Sequence, residues 1–367
     1  MSAILSVRGL RKEYHTGIGI WQRRQRVVRA VDGVDFDIPE RSTVGLVGES
    51  GCGKTTTGRC LLRAVEPTAG SIVAGLRDGR RLSVTTAGAE DLRTFRKEAQ
   101  MIFQDPSSSL SPRMSVFDIV AEPLVVNQVL GGRALHDRVA ELVTMVGLEP
   151  EHMRRYPHAF SGGQRQRIGI ARALALNPRI IIADEPVSSL DVSIQAQIIA
   201  LLKDFQERLG LSLLFITHDL RVVHHVCERV AVMYAGQIVE MASRTQLFET
   251  PSHPYTAALI SAVPKILVDR SARPQRVVLR GEPVDLANIP AGCRFADRCS
   301  FVQEVCRQRM PELRTLADGR VARCHFAGGL PLKGIPEESL FEFEDIDLLI
   351  EQTTGERRQG GSTGCGP

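Results

Sequence analysis

At 367 residues the chain is long enough for about two domains of roughly 100 to 200 residues each. Its 43% hydrophobic and 24% charged residues exclude a disordered or fibrous architecture. With 46 basic side chains against 42 acidic ones the formal charge is +4, too slight a bias to argue for nucleic acid as a partner.

Residues 1–10 alternate apolar and polar side chains and lack the basic start and apolar centre of a signal peptide, so they predict a first strand. The cluster Arg23, Arg24, Arg26 and Arg29 reads as a solvated loop. Residues 44–47 form an apolar run that enters a glycine-rich loop, and residues 77–89, with Asp78-Gly79 and Ala87-Gly88, read as hairpin material. A second run, 101–103, ends at Gln104. Helical periodicity over 116–129 and 135–146 marks an insertion before the third run, 180–183, which ends at Asp184. The fourth run, 213–217, ends at His218. Four such runs suit buried parallel strands of an α/β domain, and each carries polar chemistry at its carboxyl end, where open parallel sheets bind ligands. Beyond Pro264 the pattern weakens. A segment with Cys293, Cys299, Cys306 and Cys324 follows, then an acidic, apolar patch at 341–351 and a Gly-rich end expected to lack fixed structure. No run reaches the roughly 20 apolar residues of a membrane-spanning helix, so a membrane connection is expected through a partner. Eight cysteines without a secretory leader read as reduced thiols.

Gly48-Glu49-Ser50-Gly51-Cys52-Gly53-Lys54-Thr55 fits the phosphate-loop pattern G-x-x-x-x-G-K-[ST] between a predicted strand and a predicted helix. The glycines let backbone N–H groups curl around phosphate oxygens. Lys54 reaches the β- and γ-phosphates, the helix start at Thr55 and Thr56 adds its dipole, and the Thr55 hydroxyl suits Mg²⁺. At the end of the third run, Asp184 suits the metal through water and Glu185 is placed to orient or deprotonate the attacking water. Cys52, inside the loop, reads first as incidental, with oxidation sensitivity of ATP binding as the second reading.

Ser161-Gly162-Gly163-Gln164 has the spacing of a helix capping box, with the helix expected to run through Leu176. Paired glycines at that point weaken a helix but admit a very close backbone approach to an anion. Together with the motifs on either side of it, this element resembles the ATP-binding cassette (ABC) family. The resemblance implies a P-loop NTPase with a RecA-like core sheet, an antiparallel β subdomain and an inserted helical signature subdomain. It also implies that two cassettes pair head to tail, so that the signature of one closes on the ATP held by the other. Gln104 matches the family's Q-loop and joins Thr55 and Asp184 around Mg²⁺; Asp191 in Ser189-Leu190-Asp191 matches the D-loop, and His218 the switch histidine. Tyr14 is similar to the aromatic that stacks on adenine, with a strand tyrosine packed in a core as the second reading.

Residues 103–114, 232–240 and 251–256 resemble the peptide/nickel importer branch, as does the four-cysteine segment, which in oligopeptide and dipeptide importer ATPases is associated with an iron-sulfur cluster. By itself the set Cys293, Cys299, Cys306 and Cys324 suits a [4Fe-4S] cluster, Zn²⁺ or no metal at all. The expected organisation is a cassette over 1–262 with its helical subdomain at about 105–178, a small Cys-containing C-terminal domain over 263–327, and a partly disordered tail over 328–367. The resemblance implies an importer ATPase peripheral to the cytoplasmic face of a bacterial inner membrane. Its implied partners are a second ABC ATPase subunit, as a heterodimer in preference to a homodimer, two transmembrane permeases and, indirectly, an extracytoplasmic solute-binding protein. A soluble cassette ATPase acting on ribosomes or DNA is the first alternative; the second is a redox- or iron-sensing nucleotide-binding protein.

Overall fold

A computed structural model describes residues 3–16, 26–105, 109–263 and 281–335. They fall into two units, one built from described residues within 1–39, 43–87 and 215–344, the other from those within 40–42 and 88–214. In chain order the strands are β1 (Ala3–Thr16), β2 (Arg26–Pro39), β3 (Thr43–Val47), β4 (Ala69–Gly75), β5 (Arg81–Ser83), β6 (Ala99–Ile102), β7 (Ile180–Asp184), β8 (Ser212–Thr217), β9 (Arg229–Tyr234), β10 (Gln237–Ser243), β11 (Arg314–Thr315) and β12 (Val321–Ala322).

In the first unit, β2-β1-β4-β5 is an antiparallel sheet. Apolar residues alternate along β1 and β2, so Leu5, Val7, Val34, Phe36 and Ile38 are all buried on one side of the ladder. The expected first strand therefore exists and runs on to Thr16. The arginine loop does not hold where it is described: Arg26 and Arg29 lie in β2, paired with Asp285 at 2.6 Å and Glu13 at 3.2 Å, while Arg23 and Arg24 lie outside the described residues. The hairpin expected over 77–89 is β4–β5 as far as Ser83, and a helix, Ala89–Glu98, begins at its far end.

This unit's other sheet has the order β11-β12-β10-β9-β3. Parallel pairing of β3 with β9, Val44 opposite Arg229 and Val47 opposite Val232, buries every residue of β3. β12 adds antiparallel to β10, with Ala322 opposite Glu240. The cysteine segment thus adds β12 and β11 to the edge of this unit's sheet. Glu240 is fully buried on this ladder and accepts the N–H groups of Ser252 (2.7 Å) and His253 (2.9 Å), which ties the turn before helix Pro254–Ser261 to the sheet. Residues 328–335 of the expected loose tail are held in place. The Ile335 N–H donates to the Phe248 carbonyl at 2.7 Å, and its side chain is 1% exposed. The rest of that tail lies outside the described residues.

In the second unit, β6 and β7 pair in parallel, Ala99 opposite Ile180 and Ile102 opposite Ala183. Helices Val116–Val126, Gly132–Met145 and Gly162–Leu174 pack through Ile119, Val120, Leu124, Val139, Leu142, Val143 and Ile170, each about 1.5–3 kcal/mol of burial. The first of these stops at Val126, short of the expected residue 129, because the Asn127 side chain donates to the Pro123 carbonyl at 2.9 Å and closes the last turn. The chain then passes into the first unit within β8. No helix among the described residues is long and apolar enough to cross a membrane.

Candidate nucleotide site and cysteine cavity

β3 delivers the glycine loop directly to helix Lys54–Leu61 in the first unit. Gly48 and Gly53 have φ of +155° and +107°, and a Cβ on either would lie 2.1 Å from a carbonyl oxygen, that of Met233 or Ala30. No other residue type fits those two corners. The Lys54 ammonium sits inside the loop it terminates, donating to the Gly48 carbonyl at 2.7 Å and the Glu49 carbonyl at 3.0 Å. Thr57 Oγ1 donates to the Gly53 carbonyl, while Ser50 and Gly51 at the loop's tip are exposed and Thr55 and Thr56 are half-buried at the helix start. Cys52 is a shielded thiol, which sets aside the oxidation-sensitive reading. It is 5% exposed, and burial pushes its thiol up despite the Lys54 charge beside it, so it stays protonated and shielded.

His218 follows β8 and is exposed. It projects because its neighbours are tied down: the Asp219 N–H donates to Thr217 Oγ1 at 3.0 Å, and the Asp219 carboxylate caps helix Leu220–Val226 through the Arg221 N–H at 2.9 Å. Tyr14 is no core residue. It is 38% exposed on β1, with the Lys12 ammonium 4.9 Å from its ring centre, which leaves an aromatic face at the surface.

The second unit gathers the carboxylate group. Asp184 is 1% exposed at the end of β7, and Glu185 follows it with φ +45° at 8% exposure. That left-handed backbone costs a non-glycine residue roughly 1–2 kcal/mol and turns the side chain away from the strand line. Gln104 Nε2 donates to Glu185 Oε2 at 3.0 Å, so the residue after β6 orients the carboxylate after β7. In the signature, both halves of the capping box form: the Gln164 N–H donates to Ser161 Oγ (3.3 Å) and the Ser161 N–H to Gln164 Oε1 (3.1 Å). A Cβ on Gly163 would stand 2.5 Å from Ile194, so glycine there lets the signature helix sit against the helix that Asp191 begins. Gln195 fixes the intervening turn by donating to the Val187 and Leu190 carbonyls.

Cys293, Cys299, Cys306 and Cys324, all unbridged, line one cavity with Phe295, Phe301 and Phe326. The Phe301 and Phe326 N–H groups each approach a sulfur, Cys299 and Cys324, at 3.4 Å, and the Cys293 N–H donates to the Cys306 carbonyl. Four soft donors in an aromatic pocket fit a thiolate-held group in kind. Against this, no three His, Cys, Asp or Glu side chains among the described residues are drawn together closely enough to hold a metal ion. Burial pushes Cys293 up to about 11, and Cys299 and Cys324 upward. The expected metal site is not supported by this geometry.

Sequence reasoning missed the support under the phosphate loop. The Glu49 carboxylate is gripped by Arg298 through two bonds of 2.7 and 2.9 Å, and the Glu49 N–H donates to the Tyr255 hydroxyl at 2.9 Å. A separation of 249 positions leaves no spacing signal for the Glu49–Arg298 pair.

Known proteins share this arrangement. Residues 31–188 match the family model described as ABC transporter, and residues 239–306 that described as oligopeptide/dipeptide transporter, C-terminal region. The oligopeptide transport ATP-binding protein AppF of Bacillus subtilis is 47% identical over 323 residues, covering 88% of this chain and 97% of AppF. The chain belongs to the ATP-binding subunits of oligopeptide/dipeptide ABC transporters. A putative peptide import ATP-binding protein of Brucella ovis is 49% identical over 88% of the chain and 97% of its own length. Among solved structures, the dimeric ATP-binding cassette MJ0796 with ADP and phosphate bound is similar at 28% identity and a TM-score of 0.57, over 65% of this chain and 98% of its own. As a subunit of this ABC family, the chain is an ATPase whose hydrolysis is coupled to transport.

Proposed function

We propose that this ABC subunit drives uptake of peptides through two partner permeases, and that its ATP chemistry is divided among the residues described above. Gly48 to Lys54 and Thr56 cradle the phosphates, Thr55, Asp184 and Gln104 hold Mg²⁺, and Glu185 takes the proton of the attacking water. His218 steadies the γ-phosphate and Tyr14 stacks on adenine. Ser161, Gly162, Gly163, Gln164 and Asp191 serve the ATP of a second cassette paired head to tail. The observation that carries this division is the Gln104–Glu185 hydrogen bond, because it places a would-be general base under the control of a residue suited to sense bound nucleotide.

Peptide cargo is supported by the relatives' names and by the match over residues 239–306. The same reading makes the chain peripheral to the cytoplasmic face of the membrane, fed from outside by a solute-binding protein and paired with a different ATPase subunit. The experiment is reconstitution: copurified membrane subunits in proteoliposomes should take up labelled oligopeptides only with ATP. Uptake of nickel or an oligosaccharide instead would replace the cargo, and recovery with ribosomes or DNA and no permease would remove the transport reading.

An iron-sulfur cluster at the four cysteines is supported by the donor set alone. A [4Fe-4S] centre bound there would supply a one-electron couple or a rigid crosslink of the segment. Purification without oxygen decides the point: a brown protein with iron and sulfide near four each carries the cluster, stoichiometric zinc replaces it with Zn²⁺, and neither leaves four thiols.

A further inference from the structure

Glu49 lies inside the phosphate loop, where a free carboxylate would repel the triphosphate that the loop cradles. The fold answers that charge from a distant part of the same unit. Arg298, next to Cys299 and with its side chain 7% exposed, forms the paired bonds to Glu49 and lies with its guanidinium 5.8 Å from the Tyr234 ring centre. Tyr255, fully buried, holds the Glu49 N–H on the other side. The guanidinium is raised above its ordinary value chiefly by the Glu49 hydrogen bonds, so it carries its charge whenever the carboxylate does.

We propose that Arg298 is a positioning residue for nucleotide binding: it neutralises and aims Glu49, so that the phosphate loop presents N–H groups and Lys54 to ATP without an opposing charge. The affinity of the loop for triphosphate is thereby set by the cysteine segment that carries Arg298, whatever that segment's cavity holds. This rests on the reading that residues 48–55 bind ATP phosphates.

Titration calorimetry with a non-hydrolysable ATP analogue and Mg²⁺, on the full chain, tests it. Arg298→Ala should raise Kd about tenfold, or about 1.4 kcal/mol. In a Glu49→Gln background the same change should cost under about threefold, because no charge is left to neutralise. Adenosine binding should move less than analogue binding. Arg298→Lys, which keeps the charge but not the fork, should fall between wild type and Arg298→Ala. If Arg298→Ala does not fold, Arg298→Gln takes its place in the cycle. An equal loss in both backgrounds would reduce Arg298 to a structural prop and overturn the proposal, as would no loss in either. Lys54→Ala separates the two readings. If it binds the analogue normally, the phosphate-loop assignment itself fails; if it abolishes binding while the Arg298 variants bind like wild type, only the present inference fails.

Discussion

The phosphate loop and the cysteine cavity are built in opposite ways. Gly48 to Thr55 are contiguous, and their chemistry follows from backbone geometry that two glycines enforce against the Met233 and Ala30 carbonyls. The cavity draws Cys293, Cys299, Cys306 and Cys324 together across a longer stretch, through an added strand and a few N–H contacts to sulfur. A contiguous site carries its geometry in its own spacing. A dispersed one does not, and its donors come near one another without closing on a metal.

The harshest way to test the contiguous site is Gly53→Ala. Its Cβ would fall on the Ala30 carbonyl in a backbone that alanine avoids, so nucleotide affinity should drop at least about 100-fold while stability falls by about 1–3 kcal/mol, the cost of a single strained residue, and the melting temperature drops modestly. Calorimetry and thermal melts separate the two effects, and normal affinity would show that the loop's shape is not what holds ATP.

Ser161→Ala combined with Gly162→Asp acts on the other unit. The isolated chain should bind ATP nearly as wild type, with helix stability reduced by about 1 kcal/mol for the lost cap. Hydrolysis in the assembled transporter should fall about tenfold or more, measured as phosphate release. Failure of the single subunit to bind ATP would contradict head-to-tail pairing.

The smallest effect concerns the joint between cassette and cysteine segment. Burial raises the Glu240 carboxyl from its ordinary 4.5 to about 7, outweighing the Ser252 and His253 N–H groups that favour the charged form. The folded chain therefore keeps a proton between pH 4.5 and 7 that the unfolded chain releases. The resulting stability is full below pH 4.5 and is lost as pH rises through 7. Glu240→Gln should flatten the fall in melting temperature between pH 5 and 8; an unchanged slope would mean that Glu240 is ionised in the fold.

Much of the site was legible because each motif residue sits at the end of a short apolar strand: Gly48 after β3, Gln104 past β6, Asp184 on β7 and His218 after β8. The capping box at Ser161 and Gln164 formed as its spacing implies. What sequence could not show depends on partners distant along the chain. Arg298 meets Glu49 across a separation of 249 positions, and the Ile335 N–H finds its acceptor at the Phe248 carbonyl. The sequence left Cys52 between an incidental thiol and an oxidation-sensitive one, and its burial, set by the fold, shields it.

In the proposed mechanism Glu185, held by Gln104, activates the attacking water while a separate loop holds the nucleotide. Glu185→Gln separates those roles in one variant, by steady-state phosphate release and ATP affinity measured side by side. Turnover should fall at least about 100-fold with affinity within about threefold of wild type. Near-normal turnover would remove Glu185 as the base, and a matching collapse of affinity would show that Glu185 holds the nucleotide rather than activating water.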